Sequence, residues 1–96
     1  METEYYYLCK LMYVGDRSSH SANIPDQCAE QVILQSDINL EDIPIYKIKD
    51  YYDIKELLEQ NDCETIQIEP LTIEEYTDEH NGYLGMDVYF IDSKLL

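Results

Sequence analysis

Residues 5–14 carry a single charge, Lys10, and otherwise read Tyr, Leu, Cys, Met and Val on both sides of an extended chain. A strand that is apolar on both faces predicts a central place in a sheet, because each face then needs cover. Gly15 ends the run, and residues 16–23 read as a polar loop.

The rest of the chain is read around that strand. Pro25 and Asp26 resemble a helix start, and Cys28, Ala29, Val32 and Ile33 follow at helical spacing, which predicts a helix over about 26–35. Residues 43–48 alternate in part and predict a short strand, with Pro44 restricting it to an edge or a strand start. Asp50 is placed to cap a helix over 51–60. There Tyr51, Ile54, Leu57 and Leu58 share one stripe, and Asp53, Glu56 and Glu59 lie opposite with Tyr52 among them. Asn61 and Asp62 stop that helix. Residues 64–68 alternate as a strand that Pro70 interrupts.

Two expectations compete for residues 70–82. The spacing of Thr72 and Glu75 fits a capping box and a short helix to about His80. Asn81–Gly82 fits a hairpin turn instead. Residues 86–91 predict a last strand with Met86, Val88 and Phe90 on one face. Together these elements predict an α+β class fold, one acidic domain over residues 1–96. Its sheet would have about four strands, mostly antiparallel, packed by two helices, or by three if 70–82 is helical.

Charge narrows the function. The 96 residues hold 21 acidic and 6 basic side chains, for a formal net charge of -15. That sign opposes direct nucleic-acid binding, which needs cations to displace phosphate counterions, and it opposes anionic membrane surfaces. A hydrophobic content of 45% with 11% aromatics still supplies a core and argues against disorder. The acids concentrate in residues 50–80, as Asp50, Asp53, Glu56, Glu59, Asp62, Glu64, Glu69, Glu74, Glu75, Asp78 and Glu79 against the single base Lys55. No positively charged start leads into an apolar run, and no apolar run is long enough to span a bilayer. Cytoplasmic residence is expected, in the host cell if the gene is a phage's.

Chemical motifs are sparse. Cys9, Cys28, Cys63, His20 and His80 lack the paired spacing of zinc ligands, and the three cysteines read as small buried residues. Residues 50–62 miss the calcium-loop pattern at Tyr52, Ile54 and the central Gly. An acidic field raises a thiol's pKa and so disfavours a cysteine nucleophile. No Gly-rich phosphate cradle exists, and the loop from Arg17 to Ser21 reads as solvated surface. The expectation is a protein that is not an enzyme, without cofactor or metal.

What remains is the acidic surface. Carboxylates three residues apart on a helix stand about 4.5 Å apart along its axis, near the ~3.4 Å rise per phosphate along one DNA strand. Tyr52 and Tyr76 lie among the acids as rigid aromatic contacts. In size, charge and acid-plus-tyrosine texture the chain resembles the small phage-encoded inhibitors that act as DNA mimics, among them anti-CRISPR, anti-restriction and uracil-DNA glycosylase inhibitor proteins. The likeness is one of texture, so no functional residue is carried over from it. It implies a basic nucleic-acid-binding partner, a nuclease or effector complex, met through Asp50, Tyr52, Asp53, Glu56, Glu59, Asp62, Glu74, Glu75, Tyr76, Asp78 and Glu79. The alternatives are an immunity or antitoxin protein neutralising a basic toxin, and an accessory protein whose charge serves solubility alone.

Overall fold

A computed structural model describes residues 4–13 and 27–96. Four strands, β1 (Tyr5–Tyr13), β2 (Gln27–Ser36), β3 (Thr65–Leu71) and β4 (Val88–Ile91), form one sheet in the order β3-β1-β2-β4. β1 runs antiparallel to both neighbours, and β2 pairs with β4 in parallel. The helices are α1 (Ile45–Asp50), α2 (Tyr52–Gln60) and α3 (Ile73–Thr77), with short 3-10 turns between elements. This is the α+β architecture expected, with a mixed, mostly antiparallel sheet.

The two-sided strand takes the central position. Tyr7, Cys9 and Leu11 on one face of β1 and Leu8 and Met12 on the other are all buried. The first set joins Val32 and Leu34 of β2, Ile66 of β3 and Ile91 of β4 in the main core. Over them lie Tyr51, Ile54 and Leu58, the stripe read from the helical period, together with Ile48 of α1. Each such side chain contributes about 1.5–3 kcal/mol when fully buried.

Several expectations are corrected. The helix expected over about 26–35 is not formed: residues 27–35 belong to β2, and Asp26 lies outside the described residues. Val32, Ile33 and Leu34 are consecutive and all buried, as on a strand covered on both faces, and β-branched residues favour that state. Cys28 and Ala29, which completed the helical spacing, are exposed.

Residues 43–48 form no strand. Pro44 immediately precedes α1, where its missing N–H costs nothing. Asp50 does not cap α2. It closes α1, and the residue between the helices is Tyr51, which makes no side-chain cap hydrogen bond. Pro70 does not interrupt β3, because β3 is an edge strand and an edge tolerates a missing donor.

The competition over 70–82 resolves toward helix. Thr72 N–H donates to Glu75 Oε1 at 3.0 Å and Glu75 N–H to Thr72 Oγ1 at 3.1 Å, completing the capping box. Asn81 ends a 3-10 turn, and Gly82 takes a left-handed φ of 74° after it. The last strand begins at Val88, two residues later than expected, and its Val88–Phe90 face is the exposed one. The loop expected over 16–23 lies outside the described residues.

Two tyrosine hydroxyls hold turns in place. Tyr7 donates to Asn39 Oδ1 and accepts from Leu40 N–H, each at 2.9 Å. Tyr51 donates to the Phe90 carbonyl at 3.4 Å and accepts from Asp92 N–H at 3.1 Å. Replacing Tyr51 by Phe removes both bonds and leaves part-buried backbone groups unpaired. Tyr51→Phe is expected to cost about 1–3 kcal/mol in urea unfolding and to speed hydrogen exchange at Asp92. Ile54→Ala is expected to cost about 2–5 kcal/mol by the same measurement.

Candidate functional site

The acidic side chains divide into two groups, one along α1 and α2 and one along α3. Asp50 ends α1, Tyr52, Asp53, Glu56 and Glu59 lie on α2, and Asp62 follows it; all but Asp53 are exposed. Burial of Ile54 and Leu58 inward forces Glu56 and Glu59 outward, while Asp53 stays half-buried. Tyr52 is 62% exposed. Its ring stacks on that of Tyr51, with centroids 4.9 Å apart and planes at 27°, so it is braced against the core. The charge of Asp53 pushes its phenol pKa up, with Tyr51 adding to the effect. Asp62 adopts φ 55°, a left-handed conformation that closes the turn after α2.

Glu74, Glu75, Tyr76, Asp78 and Glu79 are elsewhere. Tyr76 is half-buried and stacks on Tyr6, with centroids 4.4 Å apart and planes at 14°. Tyr6 and Tyr7 are strand neighbours and point to opposite faces of the sheet. Since α2 packs with Tyr7 and α3 with Tyr6, the two acidic groups lie on opposite faces. The single surface that the sequence places over 50–80 is therefore two.

The second group is also occupied with its own structure. Glu75 belongs to the capping box, and Asp78 Oδ1 accepts from the His80 backbone N–H at 2.9 Å and lies 3.1 Å from its Nδ1. Glu74 and Glu79 are exposed.

The α2 carboxylates form no ion pair among the described residues, and Lys55 is the one cation on the helix. Among the described residues Lys10 and Glu69 form an ion pair at 3.0 Å and Asp78 contacts the His80 ring at 3.1 Å, and neither involves α2. Glu56 accepts only a neutral bond, from Gln60 Nε2 at 3.2 Å. Asp53 and Glu56, with Leu57, Gln60 and Tyr89, line an open depression of about 140 Å³. Sequence reading misses three of these residues. Gln60 follows Glu56 by one helical turn and carries a signal of its own. Tyr89 arrives from β4, and nothing local announces it.

Other chemistry is thin among the described residues. No three His, Cys, Asp or Glu side chains converge as a metal site, and no helix is long and apolar enough to cross a membrane. Cys9 is buried, and burial pushes its thiol up to about 12. Burial likewise raises Cys63, which is half-buried. Cys28 is exposed, contrary to the reading of all three as buried. His20 and the Arg17–Ser21 loop lie outside the described residues.

Two outcomes follow. The native state keeps the Cys9 proton between the thiol's ordinary 9.0 and about 12, whereas the unfolded chain releases it through the lower part of that window. Stability is then fully present below pH 9 and falls as pH rises above it. The urea midpoint should drop less steeply in Cys9→Val. Glu56→Lys converts two repulsive i,i+3 pairs, with Asp53 and Glu59, into attractive ones. It is expected to stabilise the fold by about 0.5 kcal/mol at low ionic strength, the gain shrinking with added salt in thermal unfolding.

No family model, curated protein or solved structure matches the chain.

Proposed function

We propose that the protein is a non-enzymatic inhibitor that docks the acidic face of α2 on a basic nucleic-acid-binding protein, competing with nucleic acid for its channel. The supporting observation is the row Asp53, Glu56 and Glu59, which has no ion-pair partner among the described residues and flanks an exposed, braced Tyr52. Like charges one turn apart cost helix stability. A basic partner removes that cost and gains fast, salt-sensitive association. The partner class is a nuclease or effector complex of the kind that phage anti-defence proteins block. The surface is narrowed to Asp50, Tyr52, Asp53, Glu56, Glu59 and Asp62, since the α3 acids face the other way.

The test captures basic proteins from a nucleic-acid-depleted bacterial lysate and challenges the complex with double-stranded DNA. DNA should displace the captured protein, and the triple variant Asp53→Lys, Glu56→Lys, Glu59→Lys should bind at least about tenfold more weakly. Undiminished binding by the triple variant, or indifference to DNA, would sink the reading.

A further inference from the structure

β4 ends the sheet, and among the described residues no strand lies beyond it. It pairs in parallel with β2 from Ile33↔Val88 to Ser36↔Ile91, and Ile33 N–H donates to the Asp87 carbonyl at 2.8 Å. In a parallel ladder each residue turns both backbone groups to one side, and successive residues alternate. Ile33 and Gln35 thus engage Asp87, Tyr89 and Ile91, so the N–H and C=O of Val88 and Phe90 point outward. The Tyr51 hydroxyl marks that outer side by bonding the Phe90 carbonyl and Asp92 N–H. Val88 N–H, Val88 C=O and Phe90 N–H are left facing away from the sheet.

The side chains beside this edge differ by face. Away from α2 stand Val88, 43% exposed, and Phe90, 52% exposed. Toward α2 stands Tyr89, which walls the depression shared with Asp53 and Glu56. Asp87 and Asp92 bracket the strand. An added strand would present its own residues alternately to these two faces. One set would meet two carboxylates and an aromatic ring, which suits a guanidinium or ammonium group. The other set would meet valine and phenylalanine.

We propose that the outer edge of β4 receives an extended segment of the basic partner as a fifth strand, in which Arg or Lys alternates with apolar residues. This rests on the inhibitor reading above and names the segment that the acidic side recognises. A second copy is the poorer occupant. Each chain carries -15, and like carboxylates at the ends of β4 would approach one another. A basic strand turns the same carboxylates into an attraction and adds main-chain bonds, the ordinary mode of strand addition.

The probe is a synthetic peptide of about eight residues alternating Arg and Val, with a Glu–Val peptide as control. On binding, hydrogen exchange at the Val88 and Phe90 amides should slow, while the Tyr89 and Ile91 amides, already turned inward, should not change. Phe90→Pro removes an outward donor without touching the β2 ladder and should weaken peptide binding about tenfold. Phe90→Lys, which keeps the backbone, should weaken it about fivefold through the lost apolar contact.

Peptide binding that leaves the Val88 and Phe90 amides unprotected overturns the edge proposal and spares the acidic-face reading. Edge protection that persists in the triple lysine variant at unchanged affinity keeps the edge and removes the acidic face. Absent binding, equal binding of the Glu–Val peptide, or protection of the same amides by raising the concentration of the protein alone each overturns the proposal.

Discussion

β1 is bordered by β3 and β2 along its edges and has buried side chains on both faces. A strand so placed cannot be satisfied by one layer of helices. Tyr7, Cys9 and Leu11 need the α1–α2 layer, while Tyr6 on the reverse face meets Tyr76 of α3. The split of the acidic residues follows from this demand, because the α1–α2 pair and α3 serve opposite sides of one strand. A sheet with a single apolar face would have left both free to share a side.

Charge and core pull against each other. With a net charge of -15 on 96 residues, self-repulsion acts across the whole compact state. Opposing it is one cluster of buried side chains drawn from all four strands and the α1–α2 layer. Among the described residues the ion pair Lys10–Glu69 joins β1 to β3, away from α2. The three carboxylates of α2 are left without an ion-pair partner among the described residues, and Lys55 is the one cation on that helix.

What could be read from the sequence followed the clarity of its periods. α2 was legible because Tyr51, Ile54, Leu57 and Leu58 repeat at one spacing and acids fill the other side. The capping box of Thr72 and Glu75 was legible because two residues satisfy each other locally. β2 was not, since Cys28 and Ala29 imitated a helical repeat ahead of a run whose burial on both faces depends on neighbours far along the chain. α1 was hidden by Pro44, which forbids a strand interior and begins a helix equally well. On the candidate surface, Asp53, Glu56, Glu59 and Tyr52 were visible as a helix face. The opposed position of the α3 acids and the arrival of Tyr89 beside Asp53 depend on strand order, which residue spacing does not encode.

Tyr51 occupies the corner between two helices, keeps its ring in the core and extends its hydroxyl to β4. A four-residue strand held by one parallel neighbour would ordinarily fray as an independent unit. The hydroxyl joins it to the helical corner, and Asp37 adds bonds to both the N–H and the Oγ of Ser93 at 3.2 and 2.8 Å. The chain's last strand and its helix pair are in consequence one cooperative block, so a load applied to the acidic helix is felt at the margin of the sheet.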